Sequence, residues 1–163
     1  MVKETEEILK KLLENNELRM EVFKEEFGVE KIVITKKDIT QNRSHIKKLN
    51  KANSDQLIKL GIPKQEDGYK YLHEAIRIGY ENNDAIYDVN RLIYPILEKN
   101  FSVTNIEVRR KIKEAIKIAW SKEEYAEEQK IFRNAIDKKY GIPTNKQLIT
   151  TIVNVLKILK KDL

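Results

Sequence analysis

Between Val103 and Trp120 the chain reads VTNIEVRRKIKEAIKIAW. Val108, Ile112, Ala115, Ile116 and Ala119 recur there at helical spacing and predict one apolar face. Thr104 offers a capping hydroxyl, and Glu107 three residues on predicts a capping box. At about 100° per residue, Ile106, Arg110, Lys113 and Lys117 fall on the opposite face, with Arg109 on its flank. A second amphipathic helix is expected before this one, from Val89 to Phe101, capped by Asp88 and kinked or truly begun at Pro95. Two such helices, the second with a packed back and a basic front, suggest a helix-turn-helix. An ordinary amphipathic helix with a solvated basic face also fits the periodicity.

Elsewhere the pattern also favours helices. Lys3 to Phe27 reads as a helix, with Ile8, Leu9, Leu12 and Leu13 in one apolar stripe, Val22, Phe23 and Phe27 in another, and Gly28 as C-cap. Asn15 and Asn16 between the stripes allow a kink or a turn into two shorter helices. Ile32 to Ile34 fits a short strand or an extended linker equally. A thinly apolar helix follows from Thr35 or Asp38 to about Asn50. Asn53 and Gln56 are expected to cap a short helix that Gly61 and Pro63 end. Gly68 to Glu81 carries Tyr69, Leu72, Ala75, Ile76 and Gly79 on one face. Glu123 to Lys139 reads as a polar helix anchored by Tyr125, Ile131, Phe132 and Ile136. Thr144 with Gln147 forms a second capping box. The apolar surface of the last helix, from Leu148 to Leu159, is too wide for one core, which suggests a central helix or one shared with a second subunit.

Composition narrows the function classes. The absence of Cys excludes disulfides, thiolate zinc sites and a cysteine nucleophile. His45 and His73 lie in separate segments, and no His/Asp/Glu cluster has metal spacing. No Gly-rich phosphate loop occurs. No enzyme, cofactor or metal is therefore expected. No apolar run approaches the ~20 residues that span a bilayer, so a cytoplasmic protein without membrane contact is expected. A net charge of +6 is compatible with nucleic acid. The charge is uneven: Met1 to Glu30 holds nine acids against five bases, whereas Lys31 to Ala52 holds seven bases against Asp38 alone. The two blocks could pair with each other, or the second could lie along a phosphate backbone.

An ordered set of short matches then bears on the whole. Gly61-Ile62-Pro63, the Gly68 to Ile76 stretch GYKYLHEAI, Tyr94-Pro95, Ala115-Ile116, Ala119-Trp120-Ser121 and Pro143-Thr144-Asn145 together resemble the C-terminal effector domain of stage 0 sporulation protein A, a sporulation response regulator. The resemblance runs from about Gly61 to Lys160. It implies an all-α bundle of about six helices containing a helix-turn-helix, which binds duplex DNA to regulate transcription in bacteria. Residues 53–163 are assigned to this domain, and 1–52 to a helical N-terminal extension for dimerisation or docking. Asn105, Glu107, Arg109, Arg110, Lys113 and Lys117 are the expected DNA-facing residues.

Two departures qualify the resemblance. The phosphoacceptor receiver that precedes the domain in this family has no counterpart in the roughly sixty residues here, since such a domain needs on the order of 100. Phosphorylation control is accordingly not carried over. In addition, where the family pattern has Arg, Glu, Arg and Arg, this chain has Glu107, Arg109, Arg110 and Lys113. Glu114 stands in place of a His, and Lys117 in place of a Glu. Arg pairs with guanine and Glu accepts from cytosine, so an altered site preference is expected. A homodimer on duplex DNA is the leading expectation. The alternative is a protein-interaction modulator of a related regulator or of RNA polymerase, with little DNA binding of its own.

Overall fold

The computed structural model describes residues 18–24, 30–36, 39–132, 136 and 141–160, with side chains from 43 onward. The chain divides into two compact units, Met1–Ile46 and Lys47–Leu163.

In the first unit, β1 (Leu18–Lys24) pairs antiparallel with β2 (Glu30–Lys36), with Met20 opposite Ile34 and Val22 opposite Ile32. This corrects the helix expected over Lys3 to Phe27 at Leu18–Lys24; the rest of that segment, 3–17 and 25–27, and Gly28 lie outside the described residues. The reason is legible in LRMEVFK, where Leu18, Met20 and Val22 alternate with Arg19 and Glu21 at the strand period of two. The run Ile32 to Ile34, rich in β-branched residues suited to a pleated surface, is the partner strand.

The second unit is an all-α bundle. It begins at Lys47, inside helix α1 (Ile39–Lys59), which is continuous through Asn53, so Asn53 caps nothing. It is instead fully buried, and its side-chain amide donates to the His73 carbonyl at 2.8 Å. The helix closes in a Schellman turn: Ile62 N–H donates to Leu57 O at 3.0 Å and Gly61 N–H to Ile58 O at 2.9 Å. Gly61 takes φ +79°, and a Cβ there would run into the Tyr125 ring.

Helix α2 (Asp67–Glu81) buries Tyr71, Leu72, Ala75, Ile76, Ile78 and Gly79. A 3-10 turn (Asn83–Ile86) leads to the one-turn α3 (Val89–Leu92), whose N-cap Asp88 accepts from Arg91 N–H. Pro95 marks a true start, sitting in the first turn of α4 (Tyr94–Phe101), where its missing N–H costs nothing. Helices α5 (Asn105–Trp120) and α6 (Asn145–Leu159) complete the unit. The Thr144–Gln147 capping box at the start of α6 is fully formed. Helix α2 packs on both α5 and α6, and α6 buries Leu148, Ile149, Ile152, Val153 and Leu156 while Ile158 stays exposed.

The polar helix expected over Glu123 to Lys139 is not formed in its described part, which holds two 3-10 turns, Glu123–Tyr125 and Glu128–Phe132. Tertiary demand overrides helix propensity here. The buried Gln129 amide donates to the carbonyls of Leu60 and Ala119, each at 3.1 Å, serving acceptors at the ends of α1 and α5. Phe132 is fully buried in a T-shaped contact with Trp120, with centroids 5.4 Å apart, so the partly buried Trp120 at the end of α5 packs against the core. Among the described residues no helix is long and apolar enough to cross a membrane.

Candidate nucleic-acid interface

Helices α4 and α5 are joined by a tight turn. Ser102 adopts the left-handed conformation (φ 53°), and its N–H closes α4 on Glu98 O. Val103 and Thr104 follow, and Thr104 Oγ1 accepts from Glu107 N–H at 3.2 Å. The return bond of the expected capping box is not made. Glu98 takes over from α4, its carboxylate accepting the Asn105 N–H at 2.5 Å. The first turn of α5 is thus satisfied by its own cap and by a side chain of the preceding helix, which fixes the angle of the pair.

On the inner side of α5, Val108, Ile112, Ala115, Ile116 and Ala119 are all fully buried. Close approach to α2 adds to this: Gly68 lies so near the Lys111 carbonyl that a Cβ could not fit. The outer side carries Arg109, Arg110, Lys113 and Lys117, all exposed, while Asn105 and Glu107 are half-buried. Arg110 pairs with Glu114 at 2.7 Å, one turn on. Exposed pairs of this kind are worth about 0–1 kcal/mol, so Arg110 is easily recruited elsewhere. Lys113 and Lys117 have no carboxylate partner among the described residues.

A cleft of ≈ 730 Å³ opens between this face and the start of α6. It is lined by Arg109, Arg110, Lys113 and Lys117 from α5, by Asn90 and Tyr94, and by Ile142 to Lys146. Four of the six residues expected from the sequence therefore meet in one place, and Asn105 and Glu107 lie outside it. Tyr94, Asn145 and Lys146 are additions that the pattern alone does not single out. The Arg109 guanidinium lies over the Tyr94 ring, 5.6 Å from its centroid. Asn145 Nδ2 donates to the Arg109 carbonyl at 3.0 Å. Burial pushes the Tyr94 phenol up, against the opposing pull of Asn145 and Arg109. Lys146 spends its ammonium on the Tyr87 carbonyl at 2.8 Å.

A family model described as "Sporulation initiation factor Spo0A C terminal" matches residues 53–156, well over half of the chain. The chain belongs to that family. Members of the Spo0A C-terminal family are all-α helix-turn-helix domains that bind DNA in transcription regulation, and the family is not one of enzymes. The matched span opens within α1 and closes in α6. It contains the α4–α5 pair and every residue that lines the cleft.

Proposed function

We propose that this protein recognises a particular duplex DNA sequence by laying α5 in the major groove, and that its preferred site differs from the one the family pattern reads. The observation that carries the reading is the outward row Arg110, Lys113 and Lys117, flanked by Arg109, on a helix whose opposite face is wholly buried. A groove about 12 Å wide admits one α-helix. The cations neutralise phosphates and release counterions, which drives binding. Arg109 and Arg110 carry forks suited to the guanine edge, while Glu107 accepts from cytosine. Since Glu107 and Arg109 invert the order of the family pattern, general attraction is kept and the bases read are changed.

Helix-turn-helix proteins that act as dimers set two reading helices one helical turn of DNA apart. In this proposal residues 53–163 read the DNA, and residues 1–52 join two copies or dock a related regulator or RNA polymerase. The direct test is the double variant Arg110→Ala/Lys113→Ala. Duplex affinity and the steepness of its salt dependence both fall if the row touches DNA, and neither changes if it does not.

A further inference from the structure

Among the described residues Ile106 is the most exposed large hydrophobic side chain, at 79%. A lone exposed isoleucine is ordinary on a protein surface. Its position here is not. It is the second residue of α5, and Arg110, Lys113 and Lys117 follow it at i+4, i+7 and i+11, in one line along the helix. The side chain contributes little to the free domain, since it is out of the core and β-branching restricts its rotamers in a helix. Its backbone is nonetheless held firmly: Thr104 caps the turn from one side and Glu98 binds the Asn105 N–H from the other.

The N-terminal turn of a reading helix is the part that reaches base edges. Most recognition features of the major-groove edge are hydrogen-bond donors and acceptors; its apolar one is the C5-methyl of thymine. We propose that Ile106 packs against a thymine methyl and so selects an A·T pair at one position of each half-site. This inference rests on the DNA-binding reading of α5. Charge complementarity favours DNA as the occupant. An apolar protein surface seated on Ile106 would have to desolvate the adjoining row of cations, whereas a duplex supplies phosphates for them and a methyl group for the isoleucine.

The experiment takes a duplex selected by the full-length protein and replaces its thymines by deoxyuridine one at a time, which removes the methyl group alone. The measurement is affinity for wild type and for Ile106→Ala, whose folding is checked by its helical circular dichroism and urea midpoint. The expected result is one substitution per half-site that weakens wild-type binding about fourfold, the value of one buried methyl-sized group. The Ile106→Ala variant binds the thymine and uracil forms of that duplex equally. Tolerance of uracil at every position overturns the inference, and so does a loss that persists undiminished in Ile106→Ala; sequence-selective binding itself stands in both cases. If no duplex is selected at all, the DNA-reading proposal falls and the inference falls with it.

Discussion

The side-chain amide of Asn145 donates to the main-chain carbonyl of Arg109 across 36 residues of sequence, at 3.0 Å. This single bond ties the first residue of α6 to the second turn of α5. The guanidinium of the same Arg109 rests on Tyr94 of α4, so one residue of the basic face is held at its backbone by one helix and at its tip by another. The cleft is therefore formed before any ligand arrives, and preorganisation of this kind lowers the entropic cost of binding.

Loss of the tie should be measurable without DNA. Asn145→Ala is expected to lower stability by about 0.5–1.5 kcal/mol, the usual net value of such a bond. A urea melt reads this as an earlier midpoint with an unchanged slope. An unchanged midpoint would mean that water replaces the amide at no cost.

The contact between α2 and α5 leaves no room for change. In Gly68→Ala the new Cβ would collide with the Lys111 carbonyl and come within 2.8 Å of the Ala115 Cβ. Separating the helices is expected to cost about 1–3 kcal/mol or more. Thermal unfolding of the variant checks this, and a melting temperature equal to that of wild type would contradict the packing described.

Acid sensitivity should have a local source in Glu74. Its two carboxylate oxygens accept from the Arg77 fork at 2.9 and 2.6 Å, and Asn100 adds a third bond at 3.2 Å. The Arg77 hydrogen bonds hold the Glu74 carboxyl below its ordinary value, against the opposing effect of burial. A depressed native pKa contributes stability that is present above the ordinary carboxylate range and is lost as pH falls through the native value. Glu74→Gln, which cannot titrate, should therefore be less stable than wild type at neutral pH, with the gap closing on acidification. Urea midpoints measured at neutral and acid pH decide the matter; a gap independent of pH would exclude the linkage.

Much of this architecture was legible from local signals. The buried face of α5, the Thr104 cap, the start of α4 at Pro95 and the Thr144–Gln147 box each depend on residues within a turn or two of one another. What the sequence concealed depends on distant partners. Asn53 has the composition of a cap but is buried because His73 supplies an acceptor. Glu123 to Phe132 has helix-forming composition but is pulled into 3-10 turns around Gln129 and Phe132. The N-terminal strand was obscured because Val22, Phe23 and Phe27 mimic a helical stripe over a segment that alternates. Within the site, the cationic row was visible from its spacing. The wall opposite it, built by Tyr94 and Asn145, was not, because nothing local places the start of α6 beside α5.

Exchanging the two inverted charges offers a test of site preference that leaves net charge alone. Glu107→Arg/Arg109→Glu restores the family order and should change which duplex is preferred. Each altered base contact is worth about 1–3 kcal/mol of discrimination. The salt dependence should move little, since the number of cations is unchanged. Competition between the duplexes preferred by wild type and variant reads this directly, and an identical ranking for both proteins would show that these positions do not read bases.

The central claim is tested most directly by fluorescence anisotropy of the purified protein on a pool of short duplexes at two salt concentrations. Selection of particular duplexes, retained at the higher salt, is the result this account predicts. Weak, uniform binding that vanishes at physiological salt would contradict it, leaving α5 a basic surface without a reading function.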